Sequence, residues 1–243
     1  MGIIERIRLL FEKAFFNSKW KCLLCGEEIF DESKSFCEKC EQGLPFNDGA
    51  ICAHCGRKVI VSETYCSTCK GVLTSLDMCR SCFNYEKPIS KLIQDLKYHN
   101  KRYLADYFSE RLSLLYFKNY FNADAFVFVP MTKKALRKRG YNQSEILARK
   151  VSEKTNVPVL DCIVKTKDTK RQATLTRVER LKNLDNAFKI IDKKAVKDKS
   201  LVLVDDVSTT GATAQTIAHR LKRAGALKVY LITVASTPPK EKY

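Results

Sequence analysis

Two sets of side chains in this sequence have the types and spacing of chemistry. The first lies in LVLVDDVSTTGAT at residues 201–213, where Asp205 and Asp206 precede Ser208, Thr209, Thr210, Gly211, Ala212 and Thr213. Adjacent carboxylates beside hydroxyls and a glycine turn suit a ligand that carries phosphate, vicinal hydroxyls and a divalent cation. The unpaired backbone N–H groups of a helix that starts there would converge on the phosphate. The second set is sulfur. Ten of the eleven cysteines fall in CxxC pairs: Cys22/Cys25, Cys37/Cys40, Cys52/Cys55, Cys66/Cys69 and Cys79/Cys82. The second group of four follows the first at offsets of 30, 30, 29 and 29 residues, which makes an internal repeat. Each repeat offers four soft ligands to one tetrahedral Zn²⁺ and leaves no position for a catalytic water, so the metal, two ions in all, is structural. Gly26 and Gly56 directly follow the leading pairs, where φ > 0 lets backbone N–H groups point at the thiolates.

The elements that must position these groups can be read around them. LVLV has the composition of a strand buried on both faces, so the two aspartates stand at its carboxyl end, where open α/β sheets bind ligands. AQTIAHRLKRAG then has helical spacing through Ile217, Ala218, Leu221 and Ala224, with Gly225 as a stop. Upstream, ISKLIQDLKY and KRYLADYFSERLSLLYF are amphipathic helices, with Tyr103, Tyr107 and Phe108 as packing residues. AFVFV is a strand. NQSEILARKVSEKT is a helix in which Asn142 and Glu145 form a capping box. PVLDCIV, LVLVDD and VYLITVAS supply further strands, and MCRSCFNY another. Strands alternating with helices mean crossover units and a parallel sheet flanked by helices, an α/β fold. Cys79 and Cys82 lie three apart on a strand and face opposite sides, so they read as free thiols. Cys162 reads as a core residue and His54 as a bystander in its knuckle.

The chain divides into an amphipathic helix at residues 1–20, a cysteine module at 21–72 and an α/β domain at 73–243. Such small cysteine repeats bury little core, so metal binding supplies most of their folding free energy. Eleven cysteines without a secretory signal place the chain in a reducing cytoplasm. No apolar run reaches the length of a membrane span. Ile3, Ile7, Leu10 and Ala14, with Ile4, Phe11 and Phe15 beside them, give residues 1–16 an apolar face for a membrane or, more simply, for a protein surface. Residues 1–88 carry no net charge, and the whole +17 falls in 89–243. That asymmetry attracts polyanions, nucleic acid or phosphorylated small molecules. Two loops concentrate it: PMTKKALRKRGYNQS with Lys133, Lys134, Arg137, Lys138 and Arg139, and residues 165–182 with Lys165, Lys167, Lys170, Arg171, Arg177, Arg180 and Lys182.

LVLVDDVSTTGAT resembles the phosphoribosyl pyrophosphate (PRPP) signature of type I phosphoribosyltransferases. Paired acids in a response-regulator receiver come near the start of its domain, and a Walker A loop needs Gly-Lys-Ser/Thr, so both fit worse. Over nearly its whole length the chain resembles the ComF family of competence proteins. The likeness rests on the CxxCG knuckles, ISKLIQDLKY, FVFVPM with RGYNQ at residues 139–143, RQATLTRVERLKNLDNAF and the PRPP signature, in that order. The Cys79/Cys82 pair departs from the pattern expected of that family. The resemblance implies a double zinc ribbon joined to a type I phosphoribosyltransferase-like domain. It implies that Asp205 and Asp206 hold the ribose hydroxyls of Mg²⁺-bound PRPP, directly or through metal-bound water. Ser208, Thr209, Thr210, Gly211, Ala212, Thr213 and Arg139 are then the PRPP-binding residues, and the 165–180 segment a lid. Two functions follow from it: a cytosolic DNA-uptake factor that also binds single-stranded DNA and meets other competence proteins, or a metabolic phosphoribosyltransferase with a nucleobase or amine acceptor.

Overall fold

A computed structural model describes residues 21–31, 34–71, 74–167 and 187–238. The expected helix at 1–20 and most of the second basic loop lie outside the described residues. The chain forms two compact units, Met1–Leu44 and Pro45–Tyr243. In the first, a short helix α1 (Glu38–Gln42) starts from Cys37 at its N-cap and contains Cys40, and Lys21 bridges antiparallel to Glu28. Among its described residues Cys22, Ile29, Phe36 and Leu44 are buried.

The second unit holds the second cysteine tetrad and the α/β domain. Its elements run β1 (Met78–Asn84), α2 (Ile89–Tyr98), α3 (Leu104–Lys118), β2 (Ala125–Phe128), α4 (Lys133–Arg139), α5 (Gln143–Thr155), β3 (Ile163–Lys165), β4 (Phe188–Ile190), α6 (Lys193–Val196), β5 (Ser200–Ser208), α7 (Ala212–Arg223) and β6 (Lys228–Ser236). Four strands form a parallel sheet in the order β1-β6-β5-β2, with Val202 opposite both Tyr230 and Phe126. The β5 run is apolar at every position from Leu201 to Val204 because both faces are covered. Leu201 and Leu203 join Ile217, Leu221, Val229 and Leu231 in the core beneath α7. Helices α3 and α5 pack together and against the sheet, and the Tyr116 and Phe126 ring centroids lie 5.3 Å apart.

Several expectations need correction. PVLDCIV gives no strand of the main sheet: Pro158 and Leu160 bond the two sides of Phe126, Val159 makes a single parallel bridge, and the chain leaves. Pro158 has no N–H with which to extend a ladder. Its last residues instead begin β3, which pairs antiparallel with β4 in a separate sheet. The first basic loop is a helix, α4, capped by the Thr132 side chain on the Ala135 N–H. Asn142 does cap α5, bonding the Ser144 N–H at 3.1 Å, but Glu145 turns to Arg149 at 2.8 Å instead of closing a capping box. Tyr107 and Phe108 are buried, whereas Tyr103 is half exposed. Cys79 and Cys82 are free thiols on β1, Cys79 buried and Cys82 half-buried, and burial pushes both up to about 12. Cys162 is a buried core residue, as its sequence context suggests.

Candidate functional site

Strand β5 outruns its neighbour β2. Their pairing ends at Phe128 opposite Val204, so Asp205 to Ser208 project past the shorter strand. Alternation along β5 continues the Leu201/Leu203 row to Asp205 and the Val202/Val204 row to Asp206. The two carboxylates therefore enter different surroundings. Asp205 accepts from the Ser144 hydroxyl at 2.8 Å and from the Asp206 backbone N–H at 2.9 Å. Asp206 is buried, accepts from the Gln143 amide at 3.3 Å, and pairs with the Lys97 ammonium from the end of α2. Burial and the neighbouring Asp206 charge raise Asp205 to about 7, against the pull of Ser144 and Lys97. Burial works against the Lys97 ammonium, but the Asp206 and Asp205 carboxylates outweigh it and raise its pKa.

Beyond β5 the chain turns through Thr209 and Thr210 to Gly211, which sits at φ 75 and starts α7. That left-handed conformation is costly for any residue with a Cβ, which is why the hydroxyl run ends in glycine. Gly211 at the N-cap has no side chain to cap α7, and the Thr210 hydroxyl accepts a long bond from the Ala212 N–H at 3.4 Å. Asp205, Ser208, Thr209, Thr210, Gly211, Ala212 and Thr213 all line one cleft of about 270 Å³, closed behind by Leu231 and Thr233. A helix start rich in free N–H groups lies on one side of it and a carboxylate on the other, which suits an anion joined to a polyol.

Asp206, buried and paired with Lys97, does not line this cleft, and neither does Arg139. Its guanidinium donates to Gln143, the residue that bonds Asp206, and stacks 5.0 Å over the Tyr98 ring. It reaches the acid pair through one side chain. Sequence reading missed Lys97, Gln143, Ser144 and Arg57. For Lys97 a signal existed: it stands four residues after the buried Ile93 on α2, and a lysine on an apolar stripe needs a carboxylate. Gln143 was visible only as the last residue of RGYNQ, and Ser144 only as a member of a helix start. Nothing local marked Arg57, whose Nη2 donates to the Thr209 carbonyl at 2.6 Å.

The sulfur sites take the expected form. Cys22, Cys25, Cys37 and Cys40 bring their Sγ atoms within 4.8 Å of one another, as do Cys52, Cys55, Cys66 and Cys69. Cys25 and Cys37 sulfurs lie 3.7 Å apart, and Cys55 and Cys66 sulfurs 3.6 Å. A tetrahedron with Zn–S bonds of about 2.3 Å has S···S edges of about 3.8 Å, so both tetrads fit structural Zn²⁺. Gly26 and Gly56 adopt φ 77 and 70 and turn the knuckles as their placement suggests. Burial raises the Cys22 and Cys52 thiols, but backbone N–H groups outweigh it and bring them to about 6 and about 7. For Cys22 these come from Cys25, Cys37 and Leu24, and for Cys52 from Cys66, Cys55 and His54. His54 belongs to neither tetrad and bonds the Thr74 hydroxyl at 2.8 Å.

Among the described residues no helix is long and apolar enough to cross a membrane. Residues 135–242 match the family model of the phosphoribosyl transferase domain, and residues 13–70 that of the double zinc ribbon domain. The chain is 29% identical over 223 residues to competence protein F of Haemophilus influenzae, covering 88% of this chain and 95% of that one. It is 29% identical over 222 residues to DNA utilization protein YhgH of Escherichia coli K12, covering 89% and 96%. Competence protein ComFC of Bacillus subtilis is 24% identical over 232 residues, covering 92% of each. Among solved structures, glutamine PRPP amidotransferase from B. subtilis aligns over 54% of this chain and 26% of its own at 20% identity. Its TM-score of 0.39 is too low to bear on the chemistry.

Proposed function

From the premise that this chain is a homologue of the ComF competence proteins, joining a double zinc ribbon to a phosphoribosyl transferase domain, we propose that it acts in DNA uptake. In this reading it is cytoplasmic, grips a Mg²⁺-bound phosphorylated ribose such as PRPP at the end of β5, and binds single-stranded DNA on the basic surface of its α/β domain. The observation that carries the ligand reading is the single cleft that unites Asp205 with the Ser208–Thr213 turn and the open start of α7.

The residues divide the work. Amides of Gly211, Ala212 and Thr213 and the Thr209, Thr210 and Thr213 hydroxyls hold the 5′-phosphate, and Asp205, which lines the cleft, holds the ribose hydroxyls beside the buried Asp206. Ser144, Gln143 and Lys97 fix the carboxylates in place before the ligand arrives, so little ordering is left to binding. The carboxylates and the neighbouring polar groups also suit Mg²⁺, which would screen the pyrophosphate charge. Arg139 orients Gln143, and the helix α4 that carries it presents Lys133, Lys134, Arg137 and Lys138 as a basic face for a polyanion.

Single-strand binding that rests on phosphate contacts weakens steeply with salt, because each contact releases counterions. Titration of a labelled oligothymidylate across a salt series therefore tests the DNA half of the reading. Salt-independent affinity, or none, contradicts it. The second reading, a metabolic phosphoribosyltransferase, is favoured by the same acid pair. It requires pyrophosphate release from PRPP with some nucleobase or amine, abolished in Asp205→Ala. Silence across a broad acceptor panel in a protein that binds PRPP leaves the uptake factor.

A further inference from the structure

The second ribbon is not merely attached to the α/β domain; it is built against the sheet edge that leads to the cleft. β1 is an edge strand, and an open edge presents unpaired N–H and C=O groups. Here the ribbon and its leading segment cover it. The Cys79 N–H bonds the His54 carbonyl at 2.7 Å, the Asn47 N–H bonds the Cys82 carbonyl at 2.9 Å, and Phe46 bridges to Phe83. Gly56 approaches so closely that a Cβ there would lie 2.5 Å from the Cys79 carbonyl oxygen. The Asn47 side chain bonds the Gly56 carbonyl at 2.7 Å and fixes the knuckle that carries Arg57.

From that fixed base two connections reach the phosphate turn, one on each side of it. Arg57 donates to the Thr209 carbonyl at 2.6 Å, before Gly211. After Gly211, the Ser75 N–H donates to the Gln215 side chain at 3.0 Å in the first turn of α7. The segment that presents Ser75 is itself held by the ribbon, through Thr74 on His54. Thr209 and Thr210 are otherwise exposed, so these contacts are what anchors the turn from outside. The Arg57 backbone carbonyl accepts from the Cys52 N–H at 2.8 Å, which ties the same residue to a tetrad ligand.

The geometry points to the second ribbon as a working part of the phosphate site, with Arg57 as the positioning residue that sets the conformation of the Thr209–Gly211 turn. The inference deepens the proposed function by naming what preorganises the anion cradle, and it rests on that reading only for the identity of the ligand. A zinc-held knuckle supplies a rigid origin from which one guanidinium can hold a carbonyl of a flexible loop. Anchored in this way, the turn keeps its amides converged before the ligand arrives.

The test compares the zinc-loaded full chain with Arg57→Ala, Arg57→Lys and Gln215→Ala by amide hydrogen exchange, beside a titration with PRPP and Mg²⁺. Arg57→Ala should speed exchange across residues 208–215 by about three- to tenfold, the range of one charge-assisted hydrogen bond at a partly exposed site. Exchange in β6 should stay unchanged, Arg57→Lys should restore part of the protection, and Gln215→Ala should loosen the same peptide. PRPP affinity should fall in Arg57→Ala by a similar factor. Unchanged exchange at 208–215, or loosening shared equally with β6, overturns the positioning role. So does equal PRPP affinity in wild type and Arg57→Ala. A wild type that fails to bind PRPP, with the turn still loosened in Arg57→Ala, overturns the ligand reading and leaves the anchoring intact.

Discussion

The two cysteine tetrads repeat each other in sequence and differ in what surrounds them. Cys22, Cys25, Cys37 and Cys40 belong to the unit that ends at Leu44, whereas Cys52, Cys55, Cys66 and Cys69 belong to the unit that contains the four-stranded sheet. In the first, nothing lies within 4 Å of where a Gly26 side chain would be; in the second, Gly56 abuts the backbone of β1. A duplicated staple has thus been put to two uses. One tetrad closes a small unit, and the other closes a sheet edge and carries Arg57 to the phosphate turn. Spacing identifies a metal site, but only the packing around it says what the metal holds in place.

Removing one thiolate from each tetrad tests this difference most forcefully. Cys66→Ser should lower the unfolding free energy of the sheet unit by about 3 kcal/mol or more, since metal binding and folding are coupled there. Cys37→Ser, in the other compact unit, should leave that transition within about 0.5 kcal/mol, as expected where mutations share no partners. Thermal melts with zinc counts read both, and equal losses would erase the distinction. Next in size are the glycines. Gly56→Ala combines a left-handed φ with a backbone clash and should cost about 2–4 kcal/mol, against about 1 kcal/mol for Gly26→Ala, where only the φ is strained. Denaturant unfolding of both variants measures the gap.

Chelation gives a kinetic version of the comparison. Cys25 is exposed, while Cys52 and Cys66 are both buried. Zinc release to a coloured chelator should be biphasic, and the fast phase should vanish in Cys37→Ser. A fast phase that persists there assigns it to the wrong tetrad. The last comparison is a pH dependence confined to the sheet unit. Asp205 is raised from 3.8 to about 7, so the folded state holds a proton that the unfolded state releases. Ligand-free stability from this group is therefore full below about pH 4 and is lost as pH rises toward about 7. Melting temperature should drop over that range, and Asp205→Asn should flatten the drop. Mg²⁺ binding, which needs the ionised carboxylate, should strengthen over the same interval.

The parts of this architecture that depend on neighbours in sequence were legible before the fold. The apolar run of β5, the glycine turn into α7 and the CxxC repeat all announce themselves within a dozen residues. What failed or was missed depends on partners far along the chain. PVLDCIV has strand composition, yet Pro158 at the edge of the sheet permits only one bridge to β2. Glu145 has capping-box spacing, yet Arg149 competes for its carboxylate. Arg57 lies 152 residues from Thr209, and Lys97 more than a hundred from Asp206, so no local pattern encodes either pairing. The acid pair could be found from sequence, and Lys97 could be marked as needing a carboxylate, but which groups meet which carboxylate could not.

The central claim is that the end of β5 is a built site for a phosphorylated ribose. Calorimetric titration of the zinc-loaded protein with PRPP and Mg²⁺, beside the Asp205→Ala/Asp206→Ala double variant, tests it directly. Saturable binding in the wild type that disappears in the double variant is the predicted result. No binding in the wild type, or binding that survives loss of both carboxylates, would contradict the claim and leave the basic surface to carry the function.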